Sequence, residues 1–220
     1  MVDRIGVAAR RAGRDPSDVQ VVAVTKGVPA SRVRAALAAG IDTFGENRVQ
    51  EADAKIAEVG GTGSWHLIGH LQSNKAARAV ALFDVVESVD SLELAARLSR
   101  LAPDAREGRP LPVYLQVNVD RDPDKAGFDP ADMSDELPRA LGLPGIAVQG
   151  LMTVGRLVTD PEAARPTFRA LRQLRDELAV SHPELSTGLS MGMSDDFEVA
   201  VEEGATVVRI GRALFGDRLA

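Results

Sequence analysis

The sequence predicts a single α/β domain that spans residues 1–220 and folds as a (β/α)8 barrel of the TIM type. Eight short, strand-like apolar runs alternate with helix-like segments, and no linker or low-complexity tract interrupts them. Eight alternations in 220 residues lie at the small end of the barrel range. The alternative is an open, doubly wound sheet. However, residues 25–29 after the first strand fit neither the G-x-G-x-x-G loop nor the P-loop of such sheets.

The predicted strands are short and rich in β-branched and other apolar residues. This composition is typical of strands that are buried on both faces of a parallel sheet. In chain order the predicted strands are 21–24, 42–44, 65–68, 85–87, 113–119, 147–152, 187–190 and 206–210.

The predicted helices follow the strands at most positions, with apolar residues at helical spacing. The segment 31–39, for example, ends before Gly40, a common residue just past a helix end. In chain order the predicted helices are 5–12, 31–39, 48–59, 73–83, 92–101, 162–179 and 196–203. The connection between the fifth and sixth strands has no predicted helix.

The charge balance restricts the class of partner. Lysine and arginine number 26 against 32 acidic residues, so the formal net charge is −6. This disfavours nucleic acids and acidic membranes, since both require a basic surface. No apolar run approaches the roughly 20 residues that cross a bilayer, no signal peptide is recognisable, and cysteine is absent. We therefore expect a cytoplasmic protein, and its acidic surface and small size favour a monomer.

Chemistry that needs an amine side chain has four candidate lysines. Lys26 directly follows the first strand, and functional groups of barrels gather at the carboxyl ends of the strands. The barrel wall is expected to desolvate its amine, which favours the neutral form that condenses with an aldehyde. The alternative is a lysine that extends into solvent. Lys55 is predicted on a solvated helix face, Lys75 at a helix start as a surface charge or anion contact, and Lys125 in a loop.

The loops after the seventh and eighth strands form a second candidate site. Ser190 and Gly192 follow the seventh strand, and Gly211 and Arg212 follow the eighth, before a short helix. Barrels often bind phosphate in these loops, where backbone N–H groups favour an anion. We expect Ser190 to donate its hydroxyl and the glycines to let the backbone approach closely. The alternative is that these residues only form turns.

Arg209 lies within the apolar eighth strand, two residues before Gly211, so both point to the same face. A buried charge needs a partner, and either a carboxylate or the ring nitrogen of a cofactor would serve. His66 and His70 have the spacing of a metal pair. Because they fall on a strand and its following loop, a structural role is favoured over a zinc site.

Six segments between residues 22 and 216 carry a family resemblance. They are VAVTK at 22–26, FGENRVQE at 44–51, WHLIGHLQSNK at 65–75, GLMT at 150–153, LSMGMSDDFE at 189–198 and VRIGRALFG at 208–216. Together they resemble the pyridoxal phosphate homeostasis proteins, the YggS/PROSC type. The resemblance implies a barrel similar to the N-terminal domain of alanine racemase, with pyridoxal 5′-phosphate bound as a Schiff base.

The resemblance also implies roles for individual residues. Lys26 matches the lysine that holds the cofactor, and Asn47 matches a position beside it. Ser190 and Gly211 match phosphate-binding positions, and Arg209 matches the arginine that faces the pyridine nitrogen.

Two features depart from the family pattern. Arg212 stands where many members have threonine, so its backbone N–H can serve the phosphate but a hydroxyl contact is lost. The opening helix is also shorter than usual.

The function implied by the resemblance is homeostasis: the protein holds pyridoxal 5′-phosphate on Lys26 and delivers it, with apo-forms of pyridoxal phosphate enzymes as candidate recipients. Arginine is effectively always protonated, so Arg209 would leave the ring nitrogen unprotonated and the cofactor a poor electron sink. The alternative is an amino-acid racemase with an open active site. In alanine racemase a second base, a tyrosine, comes from a separate β domain, whereas Tyr114 here lies within a strand. We therefore expect no turnover activity. A barrel without any cofactor is a third possibility.

Overall fold

The computed structural model describes residues 1–60, 62–156 and 158–216. Its strands are β1 (Gln20–Val24), β2 (Thr43–Glu46), β3 (Ser64–Leu67), β4 (Val85–Val89), β5 (Leu111–Gln116), β6 (Ile146–Met152), β7 (Gly188–Ser190) and β8 (Val207–Ile210). All pair in parallel and in chain order, and β8 returns to β1 to close the barrel. This confirms the predicted (β/α)8 fold, and each predicted strand overlaps an observed one.

The helices surround this barrel and connect its strands. They are α1 (Val2–Arg11), α2 (Ala30–Ala38), α3 (Val49–Val59), α4 (Ala76–Leu82), α5 (Leu92–Ala105), α6 (Met133–Leu141), α7 (Arg165–Ser181), α8 (Phe197–Glu202) and α9 (Arg212–Phe215). Helix α6 was not predicted, and it contains Pro138, a residue that is unusual inside a helix. Its buried residues nevertheless recur at helical spacing, as Met133, Leu137 and Ala140.

The fifth strand is the clearest boundary error. The sequence predicts a strand over 113–119, but β5 ends at Gln116. Beyond it the backbone pairs with its own loop: the Asn118 N–H donates to the Phe128 carbonyl at 3.0 Å, and the Phe128 N–H donates to the Gln116 carbonyl at 2.8 Å. The apolar alternation therefore continues past the point where the sheet ladder stops.

One cluster of buried side chains inside the barrel consists of apolar residues and a tyrosine. Tyr114 lies there with Val22, Met152 and Val207, which confirms that it is a packed barrel residue. A Cβ at Gly188 would come within 2.8 Å of the Tyr114 ring, so glycine leaves the space that this ring occupies.

Hydrogen bonds from Arg4 on α1 and from Arg14 just after it connect this end of the chain to α8 and to the segment that follows α8. Arg4 donates two hydrogen bonds to Glu198, at 3.0 and 2.7 Å. Arg14 donates to the carbonyls of Val201 and Ala205, which satisfies acceptors near the end of α8. Among the described residues, no helix has both the length and the apolar character needed to cross a membrane.

Candidate functional site

A cleft of about 460 Å³ opens at the carboxyl ends of β1, β7 and β8. We call it the strand-end cleft. Its lining residues are Val24, Lys26, Gly27, Val28, Pro29, Arg32, Met193, Ser194, Asp195, Arg209, Gly211, Arg212, Phe215 and Gly216. The volume lies within the range of small-molecule sites, about 300–1,000 Å³. Lys26, Arg209, Gly211 and Arg212, all predicted site residues, therefore meet in one cleft.

Lys26 lies in a tight turn directly after β1. The Val28 N–H donates to the Thr25 carbonyl at 2.9 Å, which closes a four-residue β-turn. Gly27 holds the third position with φ +70°, a conformation that side chains of other residues rarely adopt. The turn directs Lys26 into the cleft, where it is exposed. The expected desolvation of its amine by the barrel wall is therefore wrong.

Lys55 is buried, not solvated as its sequence context predicts. It is 7% exposed, and its three N–H groups reach three acceptors: the Thr25 carbonyl at 2.5 Å, Glu51 at 3.1 Å, and Glu46. An ammonium with all its protons engaged has no lone pair for attack on an aldehyde. Lys55 is thus unsuited to be the reactive amine.

The other two lysines lie outside the cleft lining. Lys75 is half-buried at the end of a short 3₁₀ helix. Lys125 donates to the Val154 carbonyl at 3.1 Å and approaches Asp122 at 3.8 Å. Of the four lysines, Lys26 alone lines the strand-end cleft.

Arg209 belongs to a buried polar network inside the barrel and is its member that lines the cleft. One guanidinium nitrogen donates to the Ser190 hydroxyl at 2.5 Å, and another donates to the Thr153 carbonyl at 2.7 Å. The Ser190 hydroxyl donates to Glu87 at 2.5 Å, and the other Glu87 oxygen lies 2.6 Å from Nδ1 of His66. Arg209 is only 4% exposed yet still lines the cleft.

The network keeps its carboxylate charged. Burial alone would raise the pKa of Glu87, but the hydrogen bond from His66 and the charge of Arg209 hold it below its ordinary value. Burial lowers the pKa of Arg209, and Glu87 opposes that shift. Because an arginine side chain is protonated far above neutral pH, the guanidinium remains a cation at neutral pH. Glu87 is thus the carboxylate partner anticipated for Arg209.

Ser190 does not line the cleft. It is fully buried, and its hydroxyl both accepts from Arg209 and donates to Glu87. The hydroxyl in the cleft belongs to Ser194, which sequence reasoning missed. Ser194 Oγ accepts from the backbone N–H groups of Gly211 and Ala213, each at 3.3 Å. The signal was available, because Ser194 closes the same SMGMS segment that contains Ser190.

Gly192 has a packing role rather than a binding one. Its φ is +90°, and a Cβ there would lie 2.4 Å from the Cβ of Ala200 on α8. Gly211 is different: it lines the cleft at the start of α9, and a Cβ would only touch Val24 at 3.4 Å. Of the two glycines predicted to admit a phosphate, only Gly211 is at the cleft.

The mouth of the cleft carries two further cations. Arg212 pairs with Asp195 across it. The Arg32 guanidinium lies 5.8 Å from the ring centre of Phe215. With Lys26 and Arg209, the lining therefore holds four basic side chains and one acidic one. Such a lining favours an anionic ligand.

Asn47 lies beside the cleft rather than in its lining. On adjacent strands Val24 is opposite Gly45, so Asn47, two residues further along, is level with Lys26. The predicted position next to the cofactor is compatible with this register. His66 and His70 have separate partners, Glu87 and Asp90. Within the described chain, no group of three or more His, Cys, Asp or Glu residues is placed to hold a metal ion.

Comparison with known proteins gives consistent matches. The family described as alanine racemase, N-terminal domain, matches residues 3–219. The pyridoxal phosphate homeostasis protein of Pseudomonas aeruginosa is 45% identical over 98% of this chain and 91% of its own. The structure of PipY from Synechococcus elongatus with PLP bound is 46% identical, with a TM-score of 0.85 over 98% of this chain and 99% of that one. An alanine racemase of Clostridium difficile, 15% identical, shares the fold with a TM-score of 0.75 over 99% of this chain and 56% of its own.

Proposed function

Because the chain belongs to the pyridoxal phosphate homeostasis proteins, within the alanine racemase N-terminal domain family, we propose that it binds pyridoxal 5′-phosphate in the strand-end cleft and holds it for delivery. Lys26 forms a Schiff base with the cofactor aldehyde. The protein acts in the cytoplasm as a monomer, and apo-forms of pyridoxal phosphate enzymes receive the cofactor.

One observation carries this proposal: the cleft brings an exposed amine, a buried arginine and a set of anion donors within reach of one small ligand. The Lys26 amine adds to the aldehyde carbon, one water leaves, and a carbon–nitrogen double bond replaces the carbonyl. Arg209 faces the ring nitrogen from β8. Asn47, level with Lys26, lies beside the cleft on the β2 side.

The phosphate is held by the segments that follow β7 and β8. We assign the hydroxyl contact to Ser194, because Ser190 is committed to the network beneath Arg209. The backbone N–H groups of Gly211 and Ala213 donate to Ser194 Oγ at 3.3 Å and exchange this acceptor for a phosphate oxygen when the ligand binds. Arg212 adds positive charge at the mouth as well as its backbone N–H. This donor set fits a dianionic phosphate.

The same geometry favours holding the cofactor over turnover. Arg209 is fixed as a cation by Glu87, so the ring nitrogen it faces stays unprotonated. A racemase needs a base on each face of the substrate carbon, and Tyr114 is buried in the barrel interior and does not line the cleft. Among the described lining residues Asp195 is the one carboxylate, and it pairs with Arg212.

The test is covalent trapping on a named lysine. Wild type, Lys26→Ala and Lys75→Ala are incubated with pyridoxal 5′-phosphate, reduced with borohydride and digested for mass spectrometry. We expect the reduced adduct on Lys26 in wild type and in Lys75→Ala, and near-complete loss in Lys26→Ala. Circular dichroism should show that Lys26→Ala remains folded, since the side chain is exposed.

Two outcomes would overturn the proposal. A reduced adduct located on Lys55, Lys75 or Lys125 would mean that the amine is misassigned. Steady formation of D-amino acid from a single L-enantiomer, abolished by Lys26→Ala, would show a racemase rather than a carrier.

A further inference from the structure

Helix α3 fixes both peptide groups that flank Lys26. Lys55 Nζ donates to the Thr25 carbonyl at 2.5 Å, and the Gly27 N–H donates to Glu51 Oε1 at 2.6 Å. These are the planar groups immediately before and after the Lys26 Cα. Holding both of them fixes the two soft dihedrals of Lys26. Glu51 and Lys55 form the loop clamp.

The loop clamp is tied to the barrel as well as to the turn. Glu51 and Lys55 lie one helical turn apart on α3 and approach to 3.1 Å. Lys55 also pairs with the buried Glu46 at the end of β2, and Glu46 accepts the Thr25 hydroxyl at 2.6 Å. The turn, the neighbouring strand and the helix are thereby joined through one set of polar contacts.

The side chain of Lys26 has no such support of its own. It is exposed, and among the described residues its amine has no hydrogen-bond or ion-pair partner. Its position therefore depends on where the backbone places Cα and Cβ. Addition to a carbonyl needs the reacting atoms to be about 3–3.5 Å apart and aligned. A small displacement of the backbone therefore lowers the rate of addition.

We propose that Glu51 and Lys55 are positioning residues, which orient the Lys26 amine toward the aldehyde by fixing the turn from Thr25 to Gly27. This inference rests on the proposed function of Lys26. It separates two contributions to cofactor capture. The phosphate end of the cleft determines how tightly the ligand is retained, and the loop clamp determines how fast the covalent bond forms.

The experiment compares a ligand that can react with one that cannot. Pyridoxal 5′-phosphate carries the aldehyde, whereas pyridoxine 5′-phosphate carries an alcohol there and keeps the ring and phosphate. For wild type, Glu51→Ala and Glu51→Gln, we measure the rate of borohydride-trapped adduct on Lys26 and the Kd for pyridoxine 5′-phosphate. Glu58→Ala, which removes an exposed carboxylate from the same helix, is the matched control.

Glu51→Ala should slow trapping on the order of tenfold while the Kd for pyridoxine 5′-phosphate stays at the wild-type value. Glu51→Gln should recover most of the rate, because its amide oxygen still accepts the Gly27 N–H. Glu58→Ala should match wild type. Lys55→Met should slow trapping in the same way. If Lys55→Met folds poorly, the Glu51 variants still decide the result, because the Glu51 side chain is 34% exposed.

The outcomes are distinguishable. Equal trapping rates in Glu51→Ala and wild type would overturn the positioning role. A parallel loss of pyridoxine 5′-phosphate affinity would also overturn it, since the clamp would then shape the whole cleft. If wild type itself traps no adduct on Lys26, the proposed function fails, and this inference fails with it.

Discussion

Two buried glutamates in this barrel, Glu87 inside it and Glu46 outside it, are both fully inaccessible, yet their pKa values shift in opposite directions. Both Glu87 oxygens have partners, His66 and Ser190, and Arg209 lies 3.8 Å away. At Glu46 one oxygen accepts from Lys55 and Thr25, while the other has no hydrogen-bond partner in the described structure.

The difference teaches that partners, not burial, decide the charge of these groups. Burial raises the pKa of Glu46, and the hydrogen bonds from Lys55 and Thr25 only partly oppose it. At Glu87 the same burial is outweighed. Each carboxylate supports one side of the cleft: Glu87 stabilises Arg209, and Glu46 anchors Lys55 beneath the Lys26 turn. Substitutions of the two glutamates should therefore differ in how much stability they remove and in the direction in which that loss changes with pH.

The largest expected effect is the loss of stability in Glu87→Ala. This change leaves Arg209 buried without the Glu87 carboxylate, and breaking a buried pair in this way costs about 3–5 kcal/mol of unfolding free energy. Glu46→Ala leaves Lys55 with Glu51 and the Thr25 carbonyl, so we expect a smaller cost, about 1–3 kcal/mol. Urea unfolding at neutral pH measures both. A Glu46→Ala loss as large as that of Glu87→Ala would contradict the comparison.

The second prediction concerns pH. The folded pKa of Glu87 is depressed, so its contribution is present above the unfolded value, about 4.3, and is lost as the pH falls through the folded pKa. The folded pKa of Glu46 is raised, so its contribution is present below about 4.3 and is lost as the pH rises through the folded pKa.

Urea unfolding at a series of pH values from mildly acidic to neutral separates the contributions of Glu87 and Glu46 to stability. The stability difference between wild type and Glu87→Gln should grow as the pH rises, and the difference for Glu46→Gln should shrink. Glu58→Gln, at an exposed position of α3, serves as the control. Slopes of the same sign for the two buried glutamates would show that folding does not raise the pKa of Glu46.

The sequence predicted the barrel because strand signals are local. Each β-branched run carries its own evidence, and closure follows from their number. Helix α6 was not predicted although its buried residues have helical spacing, and the proline inside it weakens the local helix signal. The buried role of Lys55 was invisible for a different reason: a glutamate and a lysine four residues apart on a helix look the same whether solvent or a neighbouring strand faces them.

The candidate site was predictable to the level of loops but not of every side chain. Lys26, Arg209, Gly211 and Arg212 follow from their positions at strand ends, and all line the cleft. Which of Ser190 and Ser194 is available to a ligand depends on which hydroxyl forms hydrogen bonds with Arg209 and Glu87. That pairing joins β4, β7 and β8, so no local pattern reports it.

The smallest effect tests the inner glutamate through its neighbour Tyr114. Burial raises the pKa of this phenol to about 12, and the negative charge of Glu87 contributes to the shift. Because the chain has one tyrosine, its ultraviolet absorbance titrates as a single group, with circular dichroism at each pH to confirm that the fold persists. Glu87→Gln removes the charge but not the burial, so the tyrosine pKa should fall by only part of the distance toward 10. Glu46→Gln lies outside the barrel and should leave the titration unchanged. If the pKa of Tyr114 in Glu87→Gln equals that in wild type, Glu87 carries no charge that acts on the phenol. The contrast between the two glutamates would then be lost.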